Sequence, residues 1–217
     1  IFWLKVVSTQ LLLFPIILTT SLILKFTGEG KVFYLQKRVG VEEKEFFIFK
    51  FATMYENSDS KLNQTITVSN DPRILPLGSF LRKTKLNEIP QLINVILGNM
   101  SLIGPRPLVK KNLNFYKSQD RKIILTNKPG LSGIGSIIFS NEENLLNEKE
   151  DAWNYYINQI IPYKSALEVW FSKNINLRLY FELIFFTVYI ILTSNSKLLF
   201  DYYKTLPEMP KEFQKKI

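Results

Sequence analysis

The sequence predicts a helix-rich α+β domain embedded in a membrane from one side. Three observations carry this reading. Nineteen uncharged residues, Val6 to Leu24, open the chain with Pro15 in their middle. Short apolar stretches set off by Gly and Pro follow, too brief for long helices. A second apolar stretch, Leu177 to Leu192, carries only Arg178 and Glu182 as charges.

The opening run is long enough to be a membrane segment. Pro15 removes a helix hydrogen bond and crowds the preceding turn, so a kink or break is expected near Phe14-Pro15. Lys5 and Lys25 flank the run. Positive charge near both ends favours a chain that enters the bilayer, turns at Pro15 and leaves on the same side. A spanning helix is the main rival, since a continuous helix over residues 1–27 would be about 40 Å long. A buried core helix and a signal peptide are the others. No small-residue cleavage site follows, which disfavours the signal peptide.

Composition narrows the chemistry. The chain has 217 residues, a net charge of +9, no Cys and no His. Disulfides, thiolate chemistry and every Ser-His-Asp arrangement are excluded. A bound metal would need oxygen ligands, which points to magnesium or manganese. The basic balance attracts polyanions. No nucleic-acid-binding motif is present, so anionic lipid headgroups and phosphorylated substrates are the expected partners.

Gly28 and Gly30 stop the first element. Residues 31–36 (KVFYLQ) read as a strand, 37–40 (KRVG) as a turn, and 45–50 (EFFIFK) as a second strand. Residues 56–64 are polar and Asn/Ser-rich, a loop suited to act as a lid. The 70–73 segment (NDPR) is a turn. Residues 77–85 alternate basic and apolar side chains. Residues 86–97 have helical apolar spacing, with Pro90 at the first turn and Asn87 or Glu88 as the cap. GPRP at 104–107 is a rigid turn, and 127–135 is a glycine-punctuated loop. Residues 141–159 read as helix, Pro162 interrupts it, and 163–173 continue it. The 177–192 stretch reads either as a buried helix or as an amphipathic helix lying on the bilayer, and the surface reading is preferred. The expected divisions are a re-entrant membrane helix at 1–27, a catalytic-type domain at 28–203, and a polar C-terminal tail at 204–217.

With no His or Cys, carboxylates and cations must carry any chemistry. Arg38, Lys50, Arg73, Arg82, Arg106 and Lys128 lie beside turn or cap signals. Singly each reads as a solvated surface residue. As a group they suit a phosphate site, with Arg as a bidentate fork and Lys as a point charge. Arg106, held between two prolines, is the best single candidate. Glu88 suits either a helix cap or a magnesium ligand.

Four segments in order, KVFYLQKRVG, IFKFATM, NDPRILPLGSFLRKTKLNEIPQLINVILGNMSLIGPRP and KPGLSGIG, follow a proline-split hydrophobic helix. Together they resemble the bacterial sugar transferase family, the small monotopic phosphoglycosyl transferases. The resemblance covers nearly the whole chain. It implies a place on the cytoplasmic face of the bacterial inner membrane, with the phospholipid bilayer as a partner and a homodimer compatible. It implies transfer of a sugar-1-phosphate from a nucleotide sugar, usually UDP-linked, to polyprenyl phosphate. That reaction begins capsule, exopolysaccharide, O-antigen or glycoprotein glycan assembly. It needs Mg²⁺, its nucleophile is the Asp of an Asp-Glu pair, and the Glu helps hold the metal. No nucleic acid is expected.

Residue by residue, Glu88 falls on the family's metal-binding Glu, and Arg82 and Arg106 match its pattern. Lys50 falls on a basic position, while Ala52 replaces the next one. Asn99 stands where the family carries Asp, and Ser136 and Ser140 lie where polar or basic contacts are expected. The main departure is Asn87, which occupies the nucleophile position. A neutral carboxamide is a poor nucleophile and carries no charge for Mg²⁺. Asn87 reads as a natural variant with another mechanism, an engineered trap, a silent homologue that binds donor or lipid, or a precursor of Asp by deamidation. Ala52 and Asn99 also differ, which favours a natural divergent member.

Overall fold

The computed structural model describes residues 2–27, 29–56, 71–147, 149–193 and 195–214, with side chains from residue 14 to 213. Gly28, Asn70 and the 56–64 loop beyond Glu56 lie outside the described residues. The chain is α+β and divides into two compact units. The first holds residues up to 36, 47–56 and 71–98; the second holds 37–46 and the described chain from 99 onward.

Helix α1 (Phe2–Phe26) begins the first unit. It runs without interruption through Pro15. The proline lacks an amide hydrogen, so the Leu11 carbonyl loses its usual donor, and any turn of the chain here is a bend within one helix. Phe14, Ile16, Leu18, Leu22 and Phe26 are exposed, while Leu24 is buried against Phe51 and Leu81. Among the described residues, no helix is long and apolar enough to cross a membrane.

Strands β1 (Phe33–Val39) and β2 (Glu45–Phe51) pair as a hairpin. Its turn places Glu42 and Glu43 at positive φ, with the Gly40 amide bonded to the Lys44 carbonyl at 2.8 Å. Strand β1 starts and ends later than the sequence pattern suggests, because the turn lies at 41–43 rather than at 37–40. Asn94 fastens β2 from the side. Its Oδ1 accepts from the Phe49 amide at 3.0 Å, and its Nδ2 donates to the Phe47 carbonyl at 2.7 Å.

The alternating segment after residue 76 is helix α2 (Pro76–Lys83), opened by a proline whose missing amide costs nothing in a first turn. A 3-10 turn (Leu86–Gln91) follows and leads into α3 (Leu92–Ile96). Here the structure corrects the sequence reading. Neither Asn87 nor Glu88 caps a helix. Lys85, in the left-handed region at φ 59°, breaks the chain after α2, and Asn87, Pro90 and Gln91 are then buried inside the turn.

The second unit has the larger core. Strands β3 (Ser101–Ile103) and β4 (Gly130–Ser132) form a two-stranded parallel sheet, with Ser101 opposite Gly130 and Ile103 opposite Ser132. Helices α4 (Lys110–Leu113) and α5 (Ser118–Ile124) connect them. After β4 come α6 (Ile134–Ile138), α7 (Glu142–Asn147), α8 (Ala152–Tyr155) and a π turn (Tyr156–Ile160). Helix α9 (Ile161–Asn174) continues from the π turn without a break, so Pro162 lies inside one helical run rather than interrupting it.

Helix α10 (Leu177–Thr193) presents two apolar faces. Leu179, Leu183, Phe186 and Ile190 are buried, and Phe181, Phe185, Val188 and Leu192 are exposed. Beyond it lie α11 (Lys197–Tyr202) and α12 (Lys211–Gln214). The segment read as a polar tail is held to the core. Phe213 is fully buried, and Leu206 and Met209 pack against the same cluster. Three apolar side chains spaced among charges suffice to dock it, a pattern too sparse to register as periodicity.

Candidate active site

The predicted site residues fall into two groups, one in each unit. In the first unit, Lys50 leaves β2 and Glu88 leaves the 86–91 turn, and they meet as an ion pair at 2.9 Å. Both side chains are largely shielded, at 15% and 17% exposure, so salt screens their attraction less than in a surface pair. Asn87 is buried beside them in sequence, and its Oδ1 has no hydrogen-bond partner. A buried amide oxygen left without a donor is costly and calls for an explanation.

Asp71 and Arg73 make a second, deeper pair in this unit. Arg73 Nε donates to Asp71 Oδ1 at 2.9 Å, and Nη2 donates to Oδ2 at 2.6 Å. The sequence reading of NDPR as a turn passed over this role. The alternation Asp-Pro-Arg was the available signal, since proline between them turns both side chains toward one point. The Arg73 hydrogen bonds hold the Asp71 carboxyl below the usual carboxylate range despite burial, and the Arg82 charge adds to this. A carboxyl with a lowered folded pKa stabilises fully above the ordinary Asp value, and that contribution is lost as pH falls below it. Asp71→Asn is therefore expected to lower stability by about 2 kcal/mol at neutral pH and by much less in acid, read by urea melts across a pH series. Equal losses at both pH values would contradict the assignment.

In the second unit, Arg106 sits in the 104–107 turn, with Nη1 donating to Ser136 Oγ at 3.4 Å. Arg38 Nη1 donates from β1 to the Pro107 carbonyl at 3.1 Å, so Arg38 is tied to the turn that carries Arg106. Lys128 is exposed, with its carbonyl against Gly104. Ser136 is thus a partner of Arg106, whereas Asn99 is an exposed residue after α3.

Two further charged residues of this unit escaped the sequence reading. Lys164 is buried on α9, paired with Glu142 and lying over the rings of Phe139 and Tyr156. Glu168, one turn on, is buried and accepts from the Arg106 amide at 3.4 Å. Burial pushes its carboxyl up to about 7, against the pull of Arg106 and Lys164. The spacing of Lys164 and Glu168 on an otherwise apolar helix was the signal for both.

Among the described residues, no group of three or more carboxylates could hold a metal by itself. Magnesium, however, usually takes one or two protein carboxylates and draws its other ligands from substrate phosphates and water. Glu88 and the unpartnered Asn87 oxygen fit that donor set.

The family model described as bacterial sugar transferase matches residues 3–194. The chain belongs to the bacterial sugar transferase family. It is 33% identical over 187 residues to exopolysaccharide production protein ExoY of Rhizobium meliloti (strain 1021), covering 76% of this chain and 82% of that one. It is 37% identical over 142 residues to the ExoY protein of Sinorhizobium fredii (strain NBRC 101917 / NGR234), covering 59% and 62%. It is 36% identical over 129 residues to a UDP-glucose:undecaprenyl-phosphate glucose-1-phosphate transferase of Escherichia coli (strain K12), covering 58% of this chain and 28% of that enzyme. This sugar transferase family member thus corresponds to only part of its longer relatives.

Proposed function

We propose that this chain transfers a sugar-1-phosphate from a nucleotide sugar, with UDP as the nucleotide, to polyprenyl phosphate at the cytoplasmic face of the bacterial inner membrane. The product would begin a lipid-linked surface glycan such as exopolysaccharide, capsule or O-antigen. The observation that supports this reading is the shielded pair of Lys50 with Glu88, which lies in the same turn as the buried, unpartnered Asn87 oxygen.

The roles follow from charge. Within the first unit Lys50 and Arg82 would neutralise phosphate charge, and within the second Arg106 and Arg38 would do so, with Lys128 at the periphery of that group. Glu88 and the Asn87 oxygen would hold Mg²⁺, which spreads the charge of the diphosphate when bound. With no carboxylate at position 87, the acceptor's phosphate oxygen would attack the sugar-bearing phosphorus of the donor directly. The phosphorus–oxygen bond to the nucleotide breaks, and UMP leaves with that electron pair. The exposed apolar faces of α1 and α10 support a bilayer contact, with residues 1–27 re-entrant at Pro15 and 177–192 lying at the interface. A homodimer would be compatible with this arrangement.

Asn87 also favours a second reading, a silent homologue that binds donor or lipid and supports an active transferase. One assay separates the two. Protein in nanodiscs is given undecaprenyl phosphate, Mg²⁺ and a panel of UDP-sugars, and UMP is measured. Release that depends on both lipid and Mg²⁺ supports transfer. Donor binding without release favours the silent reading, and neither binding nor release refutes both.

A further inference from the structure

Glu168 is an expensive residue in this position. It is 4% exposed on α9. Its Oε1 accepts the long hydrogen bond from the Arg106 amide, and its Oε2 is buried with no hydrogen-bond partner. Gly135 makes room for it, since a Cβ there would stand 2.6 Å from Oε1. Arg106 faces it from the 104–107 turn and Lys164 from α9. Tyr116, after α4, also feels its charge. Lys164 is engaged by Glu142 and the rings of Phe139 and Tyr156. A glutamine would satisfy the Arg106 amide equally well without burying a charge. The carboxyl therefore offers something an amide does not, namely a proton that can come and go.

We propose that Glu168 is the positioning residue for Arg106: ionised, it holds the 104–107 turn and balances the guanidinium, and it takes up a proton when a donor diphosphate reaches Arg106 and supplies the balancing charge instead. The inference rests on the assignment of Arg106 to a phosphate. No covalent bond changes. One proton moves from solvent to the carboxyl.

The sign follows from electrostatics. Burial already pushes the carboxyl up to about 7. An added anion raises it further, so binding draws in a proton near and above neutrality. Donor affinity should then weaken as pH rises above 7, approaching tenfold per unit at most, and should level off below 7. The chain contains no His and no Cys, so Glu168 has little competition in this range.

UDP-glucose is a suitable probe, because its diphosphate stays fully ionised across these conditions. The full chain in nanodiscs is titrated calorimetrically near neutral pH in buffers of different ionisation enthalpy. Proton uptake is expected for the natural chain and none for Glu168→Gln, which should bind with an affinity independent of pH. Binding without uptake, or equal uptake in both proteins, overturns the proposal.

A second measurement needs no ligand. The infrared band of the protonated carboxyl should fade as pH rises through 7 in the natural chain and be missing in Glu168→Gln. In Arg106→Gln it should persist to higher pH, because the attracting cation is gone. A band unmoved by that change overturns the positioning role. If UDP-glucose fails to bind while the band shifts as expected, the donor assignment falls and the Glu168–Arg106 coupling stands.

Discussion

Asn87→Asp is expected to raise lipid-dependent UMP release by roughly 10⁴-fold, the scale of effect seen when an attacking group is removed from or restored to a prepared site. An aspartate fits position 87 without a change of shape. The residue is buried in the 86–91 turn, its oxygen has no donor to lose, and aspartate has the same shape as asparagine. Lys50 pairs with Glu88 of the same turn, which brings a cation and a second carboxylate to this turn. Restored aspartate would attack the sugar-bearing phosphorus, release UMP and pass the phospho-sugar to the lipid in a second displacement. Two easier steps would replace one difficult one. Asn87→Ala serves as the comparison and should not gain activity. If Asn87→Asp releases UMP no faster than the natural chain, the turn is not where attack occurs.

Gly130→Ala is expected to destabilise the second unit by about 3 kcal/mol and to disorganise the Arg106 turn. Three glycines let two backbones meet there. A Cβ on Gly130 would lie 2.1 Å from the Gly104 nitrogen, and one on Gly133 would lie 2.1 Å from the Gly104 oxygen. A Cβ on Gly104 would lie 2.3 Å from the Lys128 carbonyl. All three obstacles are backbone, so relief requires moving β3 from β4. Gly135→Ala is the control. Its obstacle is the far end of the Glu168 side chain, which can swing aside, so the cost should be smaller, about 1 kcal/mol. Equilibrium unfolding in urea reads both. Equal midpoints for the two variants would mean that the 104–130 contact is looser than these distances imply.

How much of this was legible beforehand varies by element. Helix α10 could be read from composition within a residue or so, because sixteen nearly uncharged residues leave little choice of conformation. Strand β2 was also visible, since the aromatic and β-branched run Phe46 to Phe49 stands between Glu45 and Lys50. Strands β3 and β4 were not. Each has three residues, and their pairing depends on a partner almost thirty positions away. The docking of Phe213 was hidden by the charges around it. The placing of Asn87 and Glu88 at a helix cap failed because Lys85 takes a left-handed conformation that no local pattern announced.

By itself, the sequence determined the family, the helix-rich α+β class, and the absence of histidine and cysteine chemistry. Those are properties of local order and composition. Only the tertiary structure decided which charges meet. Lys50 finds Glu88 across 38 positions, and Glu168 reaches the Arg106 amide across 62. The same packing left Asn87 Oδ1 and Glu168 Oε2 buried without hydrogen-bond partners. Partner choice at such separations is set by how elements pack and what they exclude from water, and neither quantity is written in any short stretch of the chain.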